Sequence, residues 1–165
     1  MKIECIKEQL EEALNKADKI AGKNTTLPIL SGLYLDANQN SLTIKSTNLD
    51  IGLSISIPVK VTEPGIVVVP AHVTSSLISS LSKDRNINFT TKDQILEIKT
   101  TSTKTNIKTL PAEEFPVIPE VSEDNAFSMP ARDFIFGIRS VIYAAAVGSI
   151  KPELSSIAVI HEGEF

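Results

Sequence analysis

Residues 1–41 lie over residues 125–165 without a gap, at an offset of 152 − 28 = 124. Pro28-Ile29-Leu30-Ser31-Gly32-Leu33-Tyr34-Leu35 falls on Pro152-Glu153-Leu154-Ser155-Ser156-Ile157-Ala158-Val159. The helical pattern ahead of it repeats as well, with Leu10, Ala13, Leu14, Ala17 and Ile20 falling on Phe134, Gly137, Ile138, Val141 and Ala144. Self-similarity at a fixed period means a recurring structural unit, and it constrains the fold before any single element does. The repeat predicts one complete unit over residues 1–120 and the opening of a second over 121–165. Phe165 matches Ser41, where a further strand is expected, so the second unit is expected to break off inside its sheet.

A shorter repetition runs inside the first unit. Lys2 to Ile6 alternates as a strand, and positions 10, 13, 14, 17 and 20 have helical spacing from Lys7 to about Ala21, where Gly22 stops the helix. Strands are expected at Leu30–Leu35 and from Leu42 and Ile44, with a turn over Asp36–Asn40 between them. Ile51, Leu53, Ile55, Ile57, Val59 and Val61 alternate without a miss and read as one half-buried antiparallel strand. After the Pro64-Gly65 turn the order begins again: a strand at Ile66–Val69, then a helix from Pro70 with Val73, Leu77, Ile78 and Leu81 as its apolar face. Strands near Ile87–Thr91, Ile95–Thr100 and Lys104–Thr109 complete it. The unit thus reads β-α-β-β-β twice, an α+β arrangement of antiparallel sheets with helices. Val69-Pro70-Ala71-His72 recurs as Met129-Pro130-Ala131-Arg132. Between Pro111 and Asn125 the periodicity stops, and prolines 111, 116 and 119 with five acids make a stiff, solvated connector.

About 120 residues can bury a proper core, whereas a 40-residue remainder cannot without a partner. No run approaches the ~18 apolar residues of a membrane helix, and the N-terminus lacks a signal-peptide apolar stretch, so a cytoplasmic, unanchored protein is expected. Cys5 is the single cysteine and sits in an apolar alternation, as a small core residue rather than a nucleophile. Catalytic patterns are lacking. His72 and His161 are the only histidines, no Cys/His grouping has metal-ligand spacing, and no glycine-rich phosphate loop occurs. Ser75, Ser76, Ser79 and Ser80 follow His72, but no orienting acid or oxyanion site accompanies them, and they read as helix-surface serines. Asn48-Leu49-Asp50 reads as a turn, since Asn and Asp bond their own backbone. Neither a metal, a cofactor nor an enzymatic activity is expected.

The informative positions lie opposite the apolar helix faces. At 100° per residue, Lys16, Lys19 and Lys23 form one stripe on the first helix, and His72, Ser75, Ser79 and Lys83 one on the second. The third shows Arg132 and Arg139 beside Phe136 and Tyr143. Such stripes serve either as ordinary solvated faces, with Glu12 pairing at i+4 to Lys16, or as a surface for a polyanion. The net charge of −4 does not announce a nucleic-acid binder, though clustering on one face matters more than the total. Lysine outnumbers arginine 13 to 3, which suits loose phosphate contact better than bidentate base reading.

Four stretches carry a family resemblance: Thr26-Leu27-Pro28-Ile29-Leu30-Ser31, Ser46-Thr47-Asn48-Leu49-Asp50, Val69-Pro70-Ala71, and Thr109-Leu110-Pro111-Ala112-Glu113-Glu114-Phe115-Pro116. In order and spacing they resemble the bacterial replicative sliding clamp, the beta subunit of DNA polymerase III. The resemblance implies three similar domains per chain, each a doubled β-α-β-β-β unit. It implies two chains closed head to tail around duplex DNA, with helices lining the hole. The function implied is a non-catalytic processivity factor that tethers the replicative polymerase, with polymerase III catalytic subunit and clamp loader as partners. A clamp-like interaction module that does not encircle DNA is the alternative.

The family's DNA contacts map onto Asn24 (where the family has arginine, with Lys23 beside it), His72, Ser149, Lys151, Glu153 and Leu154. Its chain-to-chain pairing maps onto Thr105, Ile107, Leu77, Ile78 and Leu81, the last three of which also read as core. Most of the peptide pocket for partners and the third domain lie beyond this stretch, so a closed ring is not expected from these residues alone.

Overall fold

The computed structural model describes residues 1–22, 27–81, 85–119, 128–147 and 151–160. Its contacts divide the chain into two compact units, Met1–Pro119 and Glu120–Phe165.

The first unit runs β1 (Lys2–Ile6), α1 (Lys7–Ile20), β2 (Gly32–Asn38), β3 (Ser41–Thr47), β4 (Gly52–Pro58), β5 (Lys60–Glu63), β6 (Gly65–Pro70), α2 (Ala71–Ser80), β7 (Asn86–Lys92), β8 (Ile95–Lys99) and β9 (Lys104–Lys108). Two antiparallel sheets form, in the orders β5-β1-β7-β8-β9 and β4-β3-β2-β6. Two hairpins turn on residue pairs with positive φ, Gln39-Asn40 between β2 and β3 and Asp93-Gln94 between β7 and β8. Asn and Asp enter that left-handed region more readily than other non-glycine residues.

One expectation is corrected in the sheets. The alternation from Ile51 to Val61 is not one strand: β4 pairs with β3 in one sheet and β5 with β1 in the other. Pro58 has no N–H to continue a ladder, and the next N–H, that of Val59, donates to the Asn40 carbonyl at 3.0 Å. The alternation survives the crossing because both halves serve one core, with Ile57 and Val59 both buried.

α1 buries Leu10, Ala13, Leu14 and Ala17 as its periodicity predicts, against β1, β3 and β4. On α2 the expected face is corrected. The buried residues are Ala71, Thr74, Ser75 and Ile78, while Val73 is 55% exposed. At 100° per residue this face is rotated about a quarter turn from the most hydrophobic one. Small residues occupy it because α2 packs against α1, and their hydroxyls are satisfied internally. Thr74 Oγ1 donates to the Pro70 carbonyl at 2.7 Å, and Ser75 Oγ to Asn15 Oδ1 at 2.6 Å.

The segment after β9 straps the free face of the second sheet. Leu110 bridges to Val68 on β6, the Phe115 ring lies 5.3 Å from that of Tyr34 on β2, and Ile118 sits over Gly52 at the start of β4. A Cβ on Gly52 would stand 2.7 Å from Ile118 Cγ2, so glycine lets the strap lie close.

In the second unit α3 (Ala131–Val141) runs on into a 3-10 turn, Ile142–Ala144. The span 131–144 is α1's span of 7–20 moved by 124. Three hydrogen bonds repeat at the same offset. Gly22 N–H to Leu30 O and Leu30 N–H to Leu27 O recur as Ala146 to Leu154 and Leu154 to Lys151. The Ser31 hydroxyl donates to Pro28 O as that of Ser155 does to Pro152 O. The repeat is therefore structural as well as textual. What differs is burial. Leu10 is 0% exposed, but its counterpart Phe134 is 42% exposed and no described residue of α3 is buried. Among the described residues 151–160 no strand forms, so no described strand of its own unit covers the apolar side of α3.

Candidate nucleic-acid interface

α1 and α2 lie side by side and antiparallel, as three polar contacts between them establish. Asp18 faces His72 (3.6 Å from Oδ2 to Nδ1), Ser75 donates to Asn15, and Ser79 donates to the Glu11 carboxylate. Each pair of numbers sums to 90, the register of two helices running opposite ways. Their exposed sides form one surface that carries Lys16, Lys19, His72 and Ser79. Ser75, expected on it, is instead buried in the seam.

Most charge on this surface is cancelled locally. Lys7 pairs with Glu11 at 2.9 Å and Lys16 with Glu12 at 2.7 Å, both at i,i+4. Hydrogen bonds from Lys7 and then Ser79 hold the Glu11 carboxyl below its ordinary pKa, and Lys16 does the same for Glu12. Among the described residues no acid pairs with Lys19. With Asp18, Gly22, Ala71 and His72 it lines a cleft of about 600 Å³ at the C-terminal end of α1. The His72 side chain is 87% exposed there and carries charge only when protonated. Among the described residues the surface is thus close to neutral: Lys19 has no acid partner, Glu8 on the same helix face has no basic one, and Asp18 has only the His72 ring beside it.

Beside this cleft stands the expected turn at Asn48-Leu49-Asp50, with Asn48 bonding the backbone that follows it. Leu49 has φ +78°. Thr47 Oγ1 accepts from Leu49 N–H at 3.0 Å and donates to Ile51 O at 2.8 Å. Asn48 Oδ1 accepts from the N–H groups of Asp50 and Ile51 at 3.0 and 2.8 Å. The braced turn exposes Leu49 (61%) and Ile51 (54%). It abuts Gly22, where a Cβ would lie 3.7 Å from Asn48 Cα.

In the second unit Arg132 and Arg139, at i and i+7, share the side of α3 that exposes Phe136 (73%) and Tyr143 (85%). Lys151, Glu153 and Leu154 lie exposed in the turn that repeats Leu27–Leu30. Lys23, Asn24, Lys83 and Ser149 lie outside the described residues. The expected pairing surface is corrected in part. Ile78 (0% exposed), Leu81 (7%) and Ile107 (5%) belong to the core and have almost no surface to offer a partner chain. Leu77 is partly buried against that core and Thr105 is half-buried on β9, the last strand of its sheet. Nothing else clusters for chemistry: among the described residues no group of three or more His, Cys, Asp or Glu could hold a metal. None of the described helices is long and apolar enough to cross a membrane.

Comparison with known proteins agrees with this architecture. The beta sliding clamp of Staphylococcus epidermidis is 28% identical over 153 residues, covering 87% of this chain and 40% of that protein. The DNA polymerase III subunit beta of Pseudomonas aeruginosa superposes with a TM-score of 0.86 at 26% identity, over 93% of this chain and 42% of that one. A Helicobacter pylori beta clamp bound to a DNA ligase peptide superposes with a TM-score of 0.81 at 26% identity, over 93% and 43%. The chain spans less than half the length of these relatives. The family described as DNA polymerase III beta subunit, N-terminal domain, matches residues 1–119. With well over half of its 165 residues so matched, the chain belongs to the DNA polymerase III beta subunit family.

Proposed function

We propose that this chain is the N-terminal part of a DNA polymerase processivity clamp. Residues 1–120 make the first clamp domain and residues 121–165 open the second. In the full-length protein two copies close into a ring around duplex DNA and tether the replicative polymerase without catalysing a reaction. It works in the cytoplasm and takes no cofactor. Polymerase and clamp loader dock mainly on parts beyond this stretch.

The observation that supports the reading is the α1–α2 surface: among the described residues Lys7 and Lys16 are paired with Glu11 and Glu12, while Lys19 has no acid partner and lies on a cleft with Asp18 and His72. A ring that must slide needs this balance. Phosphate contacts supply affinity without sequence information, and each one strengthens the hold. Many free cations would arrest translocation, and a net acidic surface would repel the duplex. Arg132 and Arg139 supply the same kind of contact from α3, and Lys151 from the following turn.

Salt dependence tests it. In the full-length protein, Lys19→Ala lowers the slope of log affinity against log salt by about 0.9, one phosphate's worth of released counterions. Lys16→Ala changes it by much less, because Glu12 already neutralises Lys16. Equal slopes for the unsubstituted and Lys19→Ala proteins would overturn the assignment. The net charge of −4 favours a second reading, a clamp-like interaction module that does not encircle DNA. Loading onto closed circular DNA followed by release on linearisation supports the first reading, and failure to load supports the second.

A further inference from the structure

We propose that the Thr47–Ile51 turn is an apolar DNA-contacting element, in which Leu49 rests against the deoxyribose edge of the minor groove beside the phosphate held by Lys19. This rests on the clamp reading and adds to it a contact of a different chemical kind.

The first observation is conformational. Leucine at φ +78° occupies a region that a bulky side chain rarely enters. The fold keeps it there with four hydrogen bonds from the side chains of Thr47 and Asn48, and the result is an exposed leucine next to an exposed isoleucine. Glycine or asparagine would make this turn with less strain, so strain retained around an exposed apolar side chain points to a use for that side chain.

The second observation is placement. Asn48 packs beside Gly22, and Gly22 lines the cleft with Asp18, Lys19 and His72. A phosphate near Lys19 sets the adjoining sugar within reach of the turn. Sugar C–H surface is the same at every base pair, so an apolar contact to it adds affinity and keeps sequence blindness. Unlike an ion pair, it releases no counterion. Lys19, which no described acid pairs with because Asp18 turns to His72, is what selects DNA as the occupant in place of an apolar protein surface.

The test uses the 165-residue chain and a mixed-sequence duplex of about 20 base pairs at about 50 mM salt, followed by amide shifts in ¹H–¹⁵N spectra. Leu49→Asn keeps the left-handed turn and removes the apolar surface. It is expected to weaken apparent affinity about fivefold, the loss of roughly half a leucine's buried area, with the salt slope unchanged and the melting temperature level or higher. Leu49→Met is expected to restore the affinity. An affinity for Leu49→Asn equal to that of the unsubstituted chain overturns the proposal and leaves the clamp reading standing, as does a reduced salt slope. A melting temperature that falls together with the affinity shows a structural leucine and also overturns it. Absence of duplex-dependent shifts at the Thr47–Ile51 turn in the unsubstituted chain overturns the proposal, whereas the clamp reading is judged separately, by loading of the full-length protein onto closed circular DNA.

Discussion

Leu10→Ala and Phe134→Ala remove the same repeat position in two settings, one covered by a sheet and one not. Leu10 is 0% exposed beneath β-strands, so its truncation loses the transfer term and leaves a cavity, about 3 kcal/mol for a buried leucine. Unfolding entropy near 2.1 cal/mol/K per residue over the 119-residue unit gives about 0.25 kcal/mol/K, so the melting temperature falls by about 12 °C. Phe134 is the larger side chain, and fully buried it would cost about 3–5 kcal/mol. At 42% exposed on a helix with no described buried residue it has no enclosed cavity to leave. Phe134→Ala should therefore move the main transition by less than about 2 °C. Differential scanning calorimetry of both variants reads the contrast directly. A Phe134→Ala loss as large as that of Leu10→Ala would refute the claim that α3 lacks cover, and a Leu10→Ala loss under about 3 °C would refute the packing account of α1.

Two further outcomes follow from local geometry. Burial, with Glu4 adding to it, pushes the Cys5 thiol up to about 12, and its Sγ lies 3.6 Å from the Ile87 carbonyl. Disulfide reagents should leave native protein unlabelled at pH 8 and label it fully in denaturant; rapid native labelling would show the β1–β7 region to be open. Gly52→Ala should displace Ile118 and lift the strap at a cost of about 1 kcal/mol. It should also speed proteolysis between Pro111 and Pro119, and cleavage at the unsubstituted rate would mean that Ile118 does not hold the strap.

Periodicity disclosed what depends on one element and missed what depends on two. Leu10, Ala13, Leu14 and Ala17 were readable because a helix against a sheet needs an apolar stripe and little else. The buried face of α2 was not, because Thr74 and Ser75 owe their burial to Pro70 and to Asn15 on another helix. Hydrophobicity alone chose Val73, which faces solvent. The Ile51–Val61 run hid a change of sheet for a related reason: alternation reports which side meets the core, not which strand lies alongside. On the candidate interface, helical spacing and the family resemblance both named His72, which is exposed beside Asp18. Of the charge pairs there, Glu12–Lys16 was visible at i+4 and Asp18–His72 was not. Ile78 and Leu81 were readable both as core and as a chain-to-chain contact, and their burial, with that of Ile107, places them in the core.

The passage of β4 into β5 at Pro58-Val59 has a mechanical consequence. Twelve consecutive residues, Gly52–Glu63, belong first to one layer and then to the other, so tension on either layer is carried covalently into its neighbour. The two layers of the unit are therefore tied by continuous backbone, and a ring made of such blocks would open at the joints between them while each block stayed whole.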